Sequence, residues 1–288
     1  MSPSQESDLQ GVARALSLPN APPKRTAPAM FDLTGKVAVV SGGQRGIGLE
    51  LALAMAEMGA VVYCLDLPDA PNDDWLAVQA FAAGLEPKAR LEYRQVNVTD
   101  QKGTWGVVEE IVKKEGRVDV CVANAGVLHG AECLEYPADE FRKLMDVNVN
   151  GVLFTAQAAG REMERLKIAG SIILIASMSG SITNPNQHWV AYNSSKAAVI
   201  QMARSMACEL APKGIRVNTI SPGYIFTDMT RSFLESNPGL KEKLSAQNPM
   251  NRFGRPAELR GVALWLASEA STFCTGSDIK VDGGQCSW

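Results

Sequence analysis

The chain has 288 residues, 46% hydrophobic and 20% charged, with a formal net charge of −3 and a pI near 5.6. That length allows one large α/β core or two small ones. The charge balance gives no electrostatic ground for nucleic acid or an anionic membrane as the main partner, and no apolar run approaches the ~20 residues a membrane-spanning helix needs.

Residues 1–30 are rich in Ser, Pro and Ala and carry Glu6 and Asp8. Without an apolar core they do not read as a secretory signal, and the early acids argue against a mitochondrial presequence. A mobile leader with one short helix over Leu9–Leu16 is expected, on a cytoplasmic protein. Residues 31–288 read as one domain, because no linker-like break follows. Lys36–Ser41 is a β-branched strand, followed by a glycine-rich turn and a helix whose apolar face repeats through Ile47, Leu51, Ala54, Met55 and Met58 to Gly59. Ala60–Leu65 is a second continuous apolar strand ending at Asp66.

Further alternation predicts a helix over Asp73–Ala83, a strand over Leu91–Val96, a helix over Gln101–Glu115 and a strand over Val118–Ala123. Helices over Ala138–Asp146 and Gly151–Leu166 precede a strand over Ser171–Ala176. A long helix then carries Tyr192 and stops at Pro212, followed by a strand over Ile215–Ile220, a helix over Pro256–Ser268 and a strand over Ile279–Val281. Strands apolar on both faces belong in a parallel sheet covered on each side. The alternation therefore predicts an α/β fold: a single Rossmann-type, doubly wound parallel sheet with helices on both faces. The stretch 228–248 reads as an exposed amphipathic lid beside the ligand crevice.

Tyr192 and Lys196 stand four residues apart on the long helix, hence on one face. A lone phenol titrates near ~10, and a cation close by lowers that value by ~1–3, which would make the pair a proton-transfer device. The same spacing also describes an ordinary solvated helix face, so the rest of the chain decides. Gly42-x-x-x-Gly46-x-Gly48 lies between the first strand and helix, where backbone N–H groups and the helix dipole hold a pyrophosphate. Asp66, 18 residues after Gly48, sits where an acid accepts ribose hydroxyls and repels a 2′-phosphate, favouring NAD; Arg45 in the loop pulls toward NADP as the alternative. Asn124-Ala125-Gly126, Ser177 and Pro222-Gly223 each close a strand, at the edge where open α/β sheets bind ligands. No metal site is expected, because His129 and His188 lack partners at ligand spacing. No G-x-S-x-G elbow is present, which disfavours a serine hydrolase. The six cysteines are scattered and read as thiols of a reducing compartment.

In combination these motifs resemble the short-chain dehydrogenase/reductase family from Leu33 to Asp282, and the ASMSG run resembles its fungal polyol dehydrogenase and sorbose or xylulose reductase branch. The resemblance implies a catalytic set of Asn148, Ser177, Tyr192 and Lys196. Ser177 lies 15 residues before Tyr192 and Ser179 lies 13 before it; the strand end and the branch favour Ser177, with Ser179 the alternative. The implied cofactor residues are Gly42, Arg45, Gly46, Ile47, Gly48, Asp66, Asn97, Val98, Asn124, Ala125, Gly126, Tyr192, Lys196, Pro222, Gly223, Ile225 and Thr227. Asn97 departs from the family's usual Asp, and Ser41 from its usual Thr. The resemblance further implies that Tyr192 exchanges a proton with the substrate oxygen, that Lys196 bonds the nicotinamide ribose, and that Asn148 anchors a relay water. The implied activity is hydride exchange between a nicotinamide cofactor and a small-molecule secondary alcohol or ketone: a polyol, a sugar or a secondary-metabolite carbonyl. The rivals are NADPH-dependent ketone reduction, redox-neutral use of the nucleotide, and a non-catalytic sensor. A homotetramer or homodimer is expected, with the terminal Trp288 packed on a neighbouring subunit.

Overall fold

In the structure, a computed structural model, residues 11–17, 26–85, 89–235, 237 and 239–288 are described. Of the expected leader, 1–10 and 18–25 lie outside those residues, and the short helix runs over Gly11–Ser17 (α1). Seven strands form one parallel sheet: β1 (Val37–Ser41), β2 (Val61–Asp66), β3 (Arg90–Gln95), β4 (Val120–Ala123), β5 (Ser171–Ile175), β6 (Arg216–Pro222) and β7 (Asp278–Val281), in the order β3-β2-β1-β4-β5-β6-β7.

The reason is visible strand by strand. Successive side chains of β1 point to opposite faces and find apolar partners on both. Val37 and Val39 join one cluster, built with Val108, Ile111 and Val112 of α4 (Gln101–Glu115), Ala156, Ala159 and Met163 of α6 (Gly151–Leu166), and Val199 and Ala203 of α7 (Val190–Leu210). Ala38 and Val40 join the other, with Leu51 and Met55 of α2 (Gly46–Glu57), Trp75 of α3 (Asp73–Ala83) and Ala263 and Leu266 of α10 (Arg260–Ala267). Local chemistry sets several ends: the Asn72 side chain accepts from Trp75 N at 2.9 Å to start α3, and Gly116 stops α4 in the left-handed region at φ 78°.

Register decides where the chemistry emerges. Ser41 pairs with Leu65 of β2 and Ala123 of β4, so the glycine loop, Asp66 and Asn124 leave the sheet at one level. Ile175 pairs with Ile220, which brings Ser177 out near Pro222. Chain order reverses on either side of β1, and that switch point opens a crevice.

Three expectations change in detail. Helix α5 (Ala138–Met145) and α6 are not separate: a π turn, Asp146–Asn150, joins them. Pro256–Leu259 forms a 3₁₀ turn ahead of a shorter α10. The stretch 228–248 folds as α8 (Asp228–Glu235) and α9 (Leu240–Ser245); the side chains of Met229 and Phe233 lie outside the described residues. Trp288 is 77% exposed, and its indole N–H donates to the Gln247 carbonyl at 3.2 Å, so the C-terminus is tied to the end of this same stretch.

Candidate active site

Helix α7 follows Trp189 and carries Tyr192 and Lys196 on the face turned to the sheet edge. Lys196 is 4% exposed, its Nζ donates to the Ile175 carbonyl at 2.9 Å, and it stands 5.7 Å from the centre of the Tyr192 ring. Ser177 lies two residues past the end of β5 in extended backbone and opens the 3₁₀ turn Met178–Gly180, its Oγ accepting from Ser179 N at 3.1 Å. This turn presses against α7: a Cβ on Gly180 would lie 2.6 Å from the Lys196 carbonyl carbon. Glycine there lets the serine turn approach the helix that carries the phenol.

The titration of the pair runs against the spacing argument. Burial raises the Tyr192 phenol above its ordinary value, opposed by the facing Ser177 side chain. Burial also lowers Lys196 to about 8. Desolvation disfavours both charged forms, the phenolate and the ammonium, and so holds the phenol in its protonated form. Ser177 is the serine whose side chain lowers the phenol's proton affinity, and Ser179 also lines the crevice.

Asn148 lies in the π turn and is fully buried. Its Oδ1 accepts from Val127 N at 2.8 Å, and its Nδ2 donates to the Val127 carbonyl at 2.9 Å and to Ser195 Oγ at 3.1 Å. Ser195 Oγ in turn donates to the Tyr192 carbonyl at 2.7 Å. The amide therefore ties the loop after β4 to the turn of α7 that bears the tyrosine. A π turn re-aims side chains by one position, and such bulges recur at functional sites. The place a side chain would fill at Gly126 is bordered by Asn148 Oδ1 at 3.3 Å and Lys196 Nζ at 3.6 Å.

The crevice has a volume of about 600 Å³. It runs from Asp66, Asn97 and Val98 past Gly42, Arg45, Gly46 and Ile47 and past Asn124, Ala125 and Gly126. It ends at Ser177, Tyr192, Lys196, Pro222, Gly223, Ile225 and Thr227. Of the residues expected from sequence only Gly48 and Asn148 do not line it. Gly48 works by packing: a Cβ there would lie 2.1 Å from the Gly42 carbonyl oxygen. Asn148 stands behind the wall. Asn124 closes the loop from the other side, donating to the carbonyls of Ser41 and Gly42 at 3.0 Å each, while Ser41 Oγ accepts from Asn124 N at 3.1 Å.

At the far end Asp66 Oδ2 accepts from Gln44 N at 3.0 Å, and its Oδ1 accepts from Leu67 N at 2.9 Å. Arg45 is exposed on the rim without an ion pair among the described residues. The Asn97 amide oxygen, expected to face a ligand, already accepts from Thr99 N and Thr99 Oγ1 at 3.1 and 2.9 Å. The first turn of α2 has no side-chain cap, and Gly46 and Ile47 line the crevice, so unpaired helix N–H groups open onto it. This is the donor set that suits a pyrophosphate, and the residues fit a dinucleotide.

Reading the sequence missed Gln44, which braces Asp66, and Ser195, which links Asn148 to Tyr192. Ser195 was recoverable in part, because it lies three residues after Tyr192 on the same helix. Gln44 carried no signal of its own. A second hollow of about 500 Å³ opens at the opposite end of the sheet. Two of its charged side chains are engaged in structure: Asp119 with Arg117 and Lys36, and Arg216 with the carbonyls of Leu266, Ser268 and Cys274.

The family model described as "Enoyl-(Acyl carrier protein) reductase" matches residues 42–285. The chain is 41% identical to a sorbose reductase of Schizosaccharomyces pombe, over 90% of this chain and 99% of that one. It is 38% identical to a probable NADP-dependent mannitol dehydrogenase of Yarrowia lipolytica, over 93% and 95%. Among solved structures, a short-chain type dehydrogenase/reductase from Mycobacterium marinum superposes with a TM-score of 0.82 at 39% identity, covering 91% of this chain and 99% of that one.

Proposed function

The chain belongs to the short-chain dehydrogenase/reductase family, and on that premise we propose that it interconverts a secondary alcohol and its ketone by hydride exchange with NAD, using Tyr192 for the proton. The observation that carries this reading is one crevice with an uncapped helix N-terminus and Asp66 at one end and Ser177, Tyr192 and Lys196 at the other. Gly42, Gly46, Ile47, Asp66, Asn124 and Thr227 would hold the dinucleotide. When bound, its nicotinamide supplies or accepts the hydride.

The remaining steps belong to the chain's own groups. In ketone reduction the protonated Tyr192 phenol donates to the substrate oxygen. The Ser177 hydroxyl, whose lone pair is taken by Ser179 N–H, keeps its proton for that same oxygen and stabilises developing negative charge. Lys196 favours phenolate once the proton has left. Asn148, whose Oδ1 borders Gly126 together with Lys196 Nζ, would anchor a relay water that returns a proton through Lys196. In alcohol oxidation the same transfers run in reverse.

NAD is preferred in this reading because the Asp66 carboxylate is fixed at the ribose end by Gln44 N and Leu67 N, where it repels a 2′-phosphate. The second reading is NADP, favoured by the unpaired Arg45 on the same rim. We place the enzyme in the cytoplasm as a homotetramer or homodimer of one catalytic domain with its lid over 228–248. Six free thiols among the described residues and the exposed Phe273 and Trp288 support that placement.

The test is dinucleotide oxidation or reduction followed at 340 nm across a panel of alcohols and ketones, with Tyr192→Phe beside the unaltered chain. The variant is expected to lose at least about a thousandfold in kcat; equal turnover would sink the assignment. Binding constants for NADH and NADPH then decide the cofactor, with tighter NADH expected.

A further inference from the structure

We infer that the substrate carries an apolar, ring-sized substituent beside its reacting carbon and is not a free polyol, a departure from the sugar and polyol names of its relatives. The inference rests on the oxidoreductase reading above.

Beyond Ser177 and Tyr192, the substrate end of the crevice is walled by Val127, Leu128, Met178, Ser179, Trp189 and Tyr224. Val127, Leu128 and Met178 offer side chains of carbon and sulfur alone. Trp189 meets Tyr192 edge to face, with ring centres 6.1 Å apart at 71°, so an indole borders the reacting phenol. The Cδ1–Nε1 edge of that indole is turned against Gly130, where a Cβ would lie 3.1 and 3.3 Å from the two atoms. Tyr224 has a hydroxyl, but it is engaged: Asn184 Nδ2 donates to it at 3.1 Å, and it donates to Gln247 Oε1 at 3.4 Å. Its ring is packed on Phe253 at 5.5 Å. Among the side chains of this wall, the Ser179 hydroxyl and the Trp189 indole N–H are left with unengaged hydrogen-bonding capacity.

That balance selects. A sugar or polyol brings several hydroxyls beyond the reacting carbon, and one serine hydroxyl with one indole N–H cannot satisfy them all. Each hydroxyl desolvated without a partner weakens binding by roughly tenfold to a hundredfold. An alkyl or aryl group on the same wall gains about fourfold per buried methylene and finds an indole edge to pack against. Trp189 is thereby the residue that sets specificity, and Ser179 and the indole N–H leave room for one or two further polar groups near the reacting centre.

The experiment measures kcat/KM of the full chain, with its preferred dinucleotide, for 4-phenyl-2-butanone and for L-sorbose. The expected ratio favours the aryl ketone by about a hundredfold or more. Trp189→Ala should lower that ratio at least about tenfold, and Trp189→Phe, which keeps an aromatic wall, should restore most of it. A ratio at or below unity, or one that Trp189→Ala leaves unchanged in a folded variant, overturns the inference while the oxidoreductase reading stands. Turnover of neither compound nor any other carbonyl by a sample that still binds the dinucleotide removes the oxidoreductase reading, and the inference with it.

Discussion

Lys196 should make the folded protein less stable than an apolar residue in its place. Its side chain is 4% exposed, and burial takes its pKa from an ordinary 10.5 to about 8. A drop of that size corresponds to roughly 3 kcal/mol of disfavoured charge at about 1.36 kcal/mol per pH unit. The sign follows from linkage. Below pH 8 the ammonium is protonated in both folded and unfolded chains, so the folded state bears the whole penalty. As pH rises from about 8 to 10.5 the folded form sheds its proton first, and the penalty disappears.

Lys196→Met removes the charge, keeps most of the volume, and loses the bond to the Ile175 carbonyl, which costs back about 1 kcal/mol. The net expectation is a variant more stable by about 2 kcal/mol at pH 7 and inactive. Urea unfolding of both chains at a series of pH values measures this, and their difference cancels the tyrosines and thiols that also titrate at high pH. The gap should shrink across pH 8–10.5. A methionine variant no more stable than the unaltered chain at pH 7, or a gap that ignores pH, would show that burial does not govern this lysine.

Other changes probe the rest of the site. Gly48→Ala should leave little folded protein with an intact crevice, because its Cβ would sit 2.1 Å from the Gly42 carbonyl oxygen; loss of NADH-fluorescence enhancement reads this out. Asn148→Ala strips three buried hydrogen bonds from Val127 and Ser195, so thermal or urea unfolding should show a loss of about 3 kcal/mol or more. A loss of activity without that cost would assign Asn148 to the proton relay alone. Asp66→Ala should relax discrimination against NADPH by about tenfold in the ratio of binding constants. An unmoved ratio would shift cofactor choice to Arg45.

Particular residues show where local pattern suffices and where it fails. The alternation of strands apolar on both faces with helices at 3.6-residue period was legible because each element carries its own repeat; β1 needs only Val37–Ser41 to declare itself. The crevice residues were legible for a related reason. Gly42, Asp66, Asn124, Ser177 and Pro222 all lie at or just past strand ends, and parallel winding carries every such end to one edge. The π turn at Asp146–Asn150 was not legible, since it interrupts two helices whose separate patterns look complete. Gln44 and Ser195 were missed because their roles are set by partners in other elements, not by neighbours in the chain.

What the sequence determined by itself is therefore the order and type of elements and the set of side chains delivered to the sheet's carboxyl edge, because periodicity and turn chemistry act over a few residues. What only the tertiary structure decided is the working state of those side chains. The spacing of Tyr192 and Lys196 argued for an acidified phenol, whereas the assembled fold, in which Lys196 reaches the Ile175 carbonyl 21 residues away, adds desolvation that acts the other way. Desolvation is a property of the assembled molecule, and it pushes the phenol up and the ammonium down.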